Sequence, residues 1–430
     1  MVSGLLLGVV FIGTVLVLYA LGVPVAIAMG ATSVLIMVSS LGQGLNYEII
    51  ANQLLFGLNS FTVLAVPFYL LLGRLMNRIG LTDRIFRFAN SLVGQFRGGI
   101  AHVNIVASMI FSGMSGLAVA DAAGLGRVEY QAMREQGYDK DISLGVTGAS
   151  SIIGPIIPPS VVMIIYGVLA DQSIGDLFLA GIVPGILLGL SLMGFVLVVS
   201  YRRGYQADTE FEIPEVWASF KGAVAPLLIP VLIIGGILSG VFTATEAGAM
   251  GILYVILIGV YYGELTPTAL LEETRDSMVE TFALMFILGA ASLYGLIALQ
   301  LRLPIIIAEE LSAIAGGPTM ILLILVVLLL VVGTFLETMA AITILVPLLT
   351  PVLDIAGIDL IHFGVVMVLT LMLGLLTPPF GVILFVLEKV TDASLEEVVR
   401  AVIPYYIPIL LVLLLLVFVP DLALFVPSNL

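Results

Sequence analysis

The 430-residue sequence contains no cysteine, two histidines and one tryptophan, and only 10% of its residues are charged. Without cysteine there is no disulfide, thiolate metal ligand or catalytic thiol. With only His102 and His362, a histidine-built metal centre is excluded in practice. No GxxxxGK[ST] loop occurs, so the chain itself offers no cradle for a nucleotide triphosphate. The scarcity of charge also excludes a soluble enzyme, a nucleic-acid binder or a disordered chain, which carry far more. Segments of about ten alternating residues, the mark of a transmembrane barrel, are missing as well.

What fills the space is apolar: 61% of residues are hydrophobic, in recurring runs of about 20. The fold class read from this is an all-α polytopic membrane protein. Spans are expected near 4–20, 24–40, 56–73, 143–170, 177–200, 223–241, 247–262, 281–299, 363–387 and 402–420. Residues 1–20 lack a basic start and read as a first span, not a cleaved signal.

The 15 basic residues, set against 29 acidic ones, orient the chain, because Lys and Arg collect on the cytoplasmic side. They follow one threading best. If 99–126 and 319–350 each enter and return on the same side, every basic residue except Arg302 lies in the cytoplasm, and both termini lie outside. The stretch 111–126 favours such a return, since Gly113, Gly116, Gly124 and Gly126 suit a hairpin tip better than a spanning helix. Irregular backbone at membrane depth persists only where it lines a protein cavity.

The two halves match at a constant offset of 220. Gly113 pairs with Gly333, Gly154 with Gly374, Pro158-Pro159 with Pro378-Pro379, and Pro184 with Pro404. Five spans separate the two hairpins, and an odd number inverts the second half. Inverted repeats with broken helices at midplane are a signature of secondary transporters.

Four breaks carry the chemistry: Ser112–Ala118, GASSIIGPIIPPS at 148–160, VGTFLET at 332–338 and LGLLTPPFG at 373–381. Proline interrupts the helix ladder and frees carbonyls. Those carbonyls, with Ser and Thr hydroxyls, are hard donors suited to Na⁺. The resumed half-helices offer N–H groups to an anion. One tip and one break per half are expected to cradle a cation, with substrate between. The candidate cation residues are Ser112, Gly113, Ser115, Gly154, Pro155 and Pro158 in the first half, and Gly333, Thr334, Thr338, Gly374 and Thr377 in the second. Gly116, Ser160, Glu337, Pro378, Pro379 and Gly381 are expected to line the substrate cavity. Asp121 and Glu337 are the acids expected at membrane depth, where a functional role is the first hypothesis. Catalytic residues and bound cofactors are expected to be absent. The basic stretch from Arg74 reads as an interfacial arm helix in contact with anionic lipid.

SGMSGLAVADAAGLG, GYDKDISLGVTGASSIIGPIIPPSVVMIIYGV and LFLAGIVPGILLG resemble the large membrane subunit of TRAP (tripartite ATP-independent periplasmic) transporters. GVFTATEAGA, GTFLETMAAITILVPLL and IHFGVVMVLTLMLGLLTPPFGV are similar to that family's second half. Where the family often has GSGS-like serines in the first tip, this chain has Ser115-Gly116-Leu117-Ala118. Where it often has Asp-Thr-Thr in the second, this chain has Glu337-Thr338-Met339, which leaves more of the coordination to backbone carbonyls.

The resemblance implies a sodium-coupled importer of small organic anions such as carboxylates or sugar acids, working by an elevator movement in a prokaryotic plasma (inner) membrane. It implies a periplasmic substrate-binding protein and a small four-helix membrane subunit as partners, with no nucleic acid. Scaffold helices and a cytoplasmic arm are expected in 1–98. The moving part is expected in 99–170 and 319–390, further scaffold in 171–318 and a last span in 391–430. The alternative retained is a stand-alone sodium/anion symporter of the related ion-transporter superfamily, working without a binding protein.

Overall fold

The structure, a computed structural model, describes residues 4–39, 48–116, 118–207 and 211–429. Helices account for its named elements. The first half begins with α1 (Gly4–Ala20), α2 (Val25–Val38), α3 (Glu48–Phe56), α4 (Ala65–Arg78) and α5 (Leu81–Val93). It continues through α6 (Gly99–Ser115), α7 (Ala118–Ala123), α8 (Leu125–Glu135), α9 (Lys140–Ser151), α10 (Val161–Ala170) and α11 (Ile174–Arg203). The second half opens with α12 (Ile213–Leu238), α13 (Ala244–Tyr262), α14 (Pro267–Gln300) and α15 (Leu303–Ile314). It closes with α16 (Pro318–Phe335), α17 (Thr338–Ala356), α18 (Leu360–Leu375), α19 (Val382–Val390), α20 (Leu395–Val402), α21 (Tyr406–Phe418) and α22 (Asp421–Ser428). Among the described residues, seven helices are long and apolar enough to cross a membrane by themselves, or eight if the bent pair at 48–78 is one span.

The 220-residue offset extends from single residues to whole elements. Helices α7 and α17 start at 118 and 338, and α9 and α18 start at 140 and 360. Asp139 and Asp359 precede the latter pair, and Asp359 caps α18 by accepting from the His362 N–H at 2.9 Å. Both Pro-Pro doublets carry a cis peptide bond. The broken spans run in opposite directions. Tyr166, late in α10, donates to the carbonyl of Leu360 at the start of α18. Gly148, in α9, lies against Leu387 near the end of α19. The second half is therefore inverted relative to the first.

Both hairpins turn back. The first leaves the bundle end where the Gly98 N–H meets the Gln206 carbonyl. Its tip, Gly116, packs on Ser160 and Val161, and its return through α7 and α8 ends where Arg134 donates to the Tyr138 carbonyl. Tyr138 in turn stacks on Tyr205. The second hairpin returns along α17 to Asp354, whose charge acts on Tyr166 beside Leu360.

The elements differ from the sequence reading in several places: the span expected at 281–299 runs from Pro267 to Gln300, and that expected at 56–73 is broken between α3 and α4. The first hairpin ends near 135, not 126, because Gly124 bends the return arm without stopping it. Spans 143–170, 177–200 and 223–241 become 140–170, 174–203 and 213–238, as polar end residues continue the helices. Helix α15 was not foreseen, being only 12 residues long. It occupies the place in the second half that α5 holds in the first, between a long span and a hairpin. Each of these arms follows a left-handed residue, Gly80 before α5 and Arg302 before α15. The arm expected after Arg74 is α5, packed between α6 and α12.

One end of the bundle gathers the basic residues. Arg74 pairs with Glu280 and Glu273, Arg87 with Glu215, Lys140 with Glu397, and Arg203 with Asp139 and Asp141. The Tyr205 hydroxyl and then Arg203 hold Asp139 below the usual carboxylate range. Arg302, by contrast, precedes α15, whose Leu303 meets Gly8 of α1. A topological prediction follows. Cysteines replacing Arg134 and Arg203 should react with a membrane-impermeant maleimide from the same face, the cytoplasmic one, and a cysteine replacing Asp354 from the other. Labelling of Arg134 and Arg203 positions from opposite faces would break the hairpin, and the inversion with it.

Candidate functional site

Each tip is packed against the break of its own half. In the second half the contact is backbone on backbone. A Cβ on Gly374 would lie 2.7 Å from the Cα and carbonyl carbon of Gly333. Only paired glycines permit this approach. The Gly381 N–H then donates to the Thr334 carbonyl at 3.2 Å, tying the far side of the break to the same tip. Gly381 has φ +39 and starts α19 without a side-chain cap. In the first half, a Cβ on Gly116 (φ +59) would sit 2.8 Å from the Val161 nitrogen. Gly154 faces Asp121 so closely that a Cβ there would run into Oδ2.

The side chains fall into distinct roles. Ser160 is buried, accepts from the Met163 N–H at 3.2 Å as the cap of α10, and donates to the Pro155 carbonyl at 2.6 Å. Pro155, Pro158 and Pro159 are buried, whereas Pro378, Pro379 and Phe380 are exposed. The second break is thus the open one. Thr334 and Thr377 donate to carbonyls of their own helices, Val331 and Leu373, each at 2.7 Å. Thr338 is buried and its Oγ1 has no hydrogen-bond partner. Glu337, half-buried, caps α17 by accepting from the Met339 N–H at 2.8 Å and the Ala340 N–H at 3.4 Å. The amide end of α17 is therefore occupied by its own carboxylate. Ser112, Gly113 and Ser115 fall in the last turn of α6, and their side chains lie outside the described residues.

Four features escaped the sequence reading. Asn104, in α6, donates to Thr147 Oγ1 at 3.0 Å and accepts from Ser150 Oγ at 2.6 Å, locking the first arm to α9. Its polar amide inside an apolar run was the available signal. Tyr406 donates to the Leu376 carbonyl, at the second break. Tyr19, from α1, reaches the backbone at Glu337. Glu129 is buried in α8, almost all of which lies outside the spans and hairpins expected from the sequence. Aromatic residues 30 or hundreds of positions from a break carry no local signal of that contact.

Two inverted halves, each bringing a re-entrant tip onto a broken span, define a secondary-transporter permease. Over residues 12–422 the chain matches the family model described as the DctM component of tripartite ATP-independent periplasmic transporters, and it belongs to that family. It is similar to the sialic acid TRAP transporter large permease protein of Vibrio cholerae, 42% identical over 408 residues that cover 95% of each chain. The sialic acid TRAP transporter permease protein of Haemophilus influenzae is also 42% identical, over 88% of this chain and 62% of its own length. The C4-dicarboxylate large permease of Pseudomonas aeruginosa is 36% identical over 86% of both chains. Among solved structures, the Alcanivorax borkumensis YdaH transporter shares the fold, with a TM-score of 0.64, 14% identity and 89% coverage of each chain. The relatives are named as permeases, and this chain is a multi-pass transporter permease, not an enzyme.

Proposed function

We propose that this chain is the permease subunit of a sodium-coupled importer of small organic anions, acting by elevator-type alternating access. The observation that carries this is the doubled arrangement of tip on break, Gly116 on Ser160–Val161 and Gly333 on Gly374, in halves of opposite direction. Each contact sets freed carbonyls and hydroxyls at a helix interruption, the donor set a hard monovalent cation takes. Ser112, Gly113, Ser115, Gly154, Pro155 and Pro158 are proposed for one Na⁺, and Gly333, Thr334, Thr338, Gly374 and Thr377 for the other. Gly116, Ser160, Glu337, Pro378, Pro379 and Gly381 are proposed around the substrate. The exposed Pro378–Phe380 segment and the uncapped amides of α19 supply the anion's contacts, assisted by the bound cations.

The moving part is proposed to comprise 99–170 and 319–390. The expected partners are a small four-helix membrane subunit and a periplasmic binding protein that delivers the anion. The plasma membrane is the expected site, with both termini outside. Relatives named for sialic acid at 42% identity make an acidic sugar the first substrate to test.

The experiment is uptake of labelled sialic acid, and of a C4-dicarboxylate in parallel, into proteoliposomes holding the permease, its small subunit and the loaded binding protein. An inward Na⁺ gradient should drive accumulation without ATP. Equal accumulation with K⁺ replacing Na⁺ on both sides would overturn the sodium reading.

A further inference from the structure

A narrow apolar groove runs between α1 and α15, with Gly8, Gly13 and Leu16 on one wall and Leu303, Ile306 and Ile307 on the other. Its volume is about 340 Å³, and no polar side chain lines it. Arg302 directly precedes Leu303 and is exposed. Among the described residues Arg302 forms no ion pair. It lies at the membrane face opposite the basic cluster. Within that cluster Arg74 pairs with Glu280 of α14, and α14 ends at Gln300, about 20 residues and about 30 Å further on, the thickness of the hydrocarbon core.

The fold requires neither the arginine nor the groove. The turn into the arm helix is made by Gly80 in the first half, with φ +64, and by Arg302 in the second, with φ +56. Glycine takes that backbone freely, whereas arginine does so at a cost, so the turn alone calls for glycine. Helix α5 lies along α12, which opens the second half, as α15 lies along α1, which opens the first. The α5–α12 seam is closed. Phe88 meets Phe220 with ring centroids 5.6 Å apart, and the Ser91 and Ser219 hydroxyls lie 2.7 Å apart. Only the α1–α15 seam combines an open apolar slot with a free charge at its end.

The shape of the groove selects its occupant. Spread over the about 12 Å of helix from Gly8 to Leu16, its volume gives a cross-section of about 28 Å². An α-helix with its side chains, about 10–12 Å across, needs roughly 80–110 Å². A hydrocarbon chain fits where a helix does not, and a free arginine at headgroup level supplies the countercharge for an anion. We propose that the groove between α1 and α15 holds one acyl chain of an anionic phospholipid whose phosphate is bound by Arg302. Glu309 and Glu310, about 10 Å further along α15, line no part of the groove and leave the headgroup unopposed. Since α15 also packs on α17, the return arm of the second hairpin, the lipid sits one helix away from that hairpin.

The test is native mass spectrometry of the permease with its small subunit, stripped of lipid and titrated with phosphatidylglycerol or phosphatidylcholine. The parent should hold its tightest phosphatidylglycerol about fivefold more strongly than phosphatidylcholine, equivalent to about 1 kcal/mol for one arginine at an anionic headgroup. Arg302→Gly should lose that preference while unfolding at the parent's temperature or above, because glycine suits the turn. Gly13→Leu, placed where a Cβ has open space, should fill the slot and bind one lipid fewer of either kind. A parent-like preference in Arg302→Gly would overturn the proposal, as would a parent-like lipid count in Gly13→Leu. So would a photoreactive residue at Ile306 that crosslinks to the small subunit and to no phospholipid, which would assign the groove to a protein helix.

Discussion

Gly374→Ala is expected to reduce uptake by at least about 100-fold. The added Cβ would meet the Cα and carbonyl carbon of Gly333 at 2.7 Å and its oxygen at 3.0 Å. All three are main-chain atoms, so no rotamer change relieves the clash. The tip must move away from the break or the break must open. Overpacking a tight contact costs about 1–3 kcal/mol and more where backbone is the obstacle, and 3 kcal/mol corresponds to a factor of about 150. Gly333→Ala should behave similarly, its Cβ lying 3.2 Å from the Gly374 Cα and the Leu371 carbonyl oxygen. Gly222→Ala, in α12, is the control, with open space around its Cβ. Initial uptake rates in proteoliposomes, with thermal unfolding in nanodiscs alongside, would measure this. Parent-like uptake by Gly374→Ala would mean that the close approach of tip and break is dispensable.

The second large effect is expected at Thr338. Its hydroxyl is buried without a protein partner. Replacing such a group by an apolar isostere removes an unsatisfied polar atom, so Thr338→Val should leave expression and thermal stability intact. If the hydroxyl serves Na⁺, its removal should raise the half-saturating sodium concentration about 5- to 150-fold, the equivalent of about 1–3 kcal/mol. Thr377 is arranged differently. Its proton goes to the Leu373 carbonyl at 2.7 Å, as threonines in helices commonly do, and its side chain also meets the Tyr406 hydroxyl. Thr377→Val should raise the sodium requirement as well, but with some loss of local order at the break. Sodium titrations of uptake at saturating substrate distinguish these cases. An unchanged sodium curve for Thr338→Val would remove this residue from the cation shell.

The architecture was largely written in local chemistry. Apolar runs gave the membrane class. The Gly and Pro positions at offset 220 marked the repeat, and the structure carries that offset into the helix starts at 118 and 338 and at 140 and 360. The one-sided distribution of Lys and Arg marked the returning hairpins, and Arg134 and Arg203 indeed meet the same Tyr138–Tyr205 cluster. These signals are readable because proline, glycine and the basic residues act through their own backbone freedom or charge.

Helix α15 was missed because 12 residues containing Glu309 and Glu310 are too short and too polar to register as a span. The end of the first hairpin was misplaced because glycine bends a helix without always ending it. At the site, the sequence identified the breaks as donors but sorted their polar side chains only into cation and substrate positions. Burial and pairing separate them: Ser160 caps α10, Glu337 caps α17, and Thr338 has no protein partner.

The sequence by itself determined the membrane class, the inverted repeat and the four interruptions, since each depends on residue type and spacing along one strand of chain. The tertiary structure alone decided which interruption is open, which hydroxyl is uncommitted, and that Arg302 adjoins an apolar groove between α1 and α15. Those facts depend on which helices come together and on what they exclude, and a hydroxyl becomes unusual only when folding takes its water away.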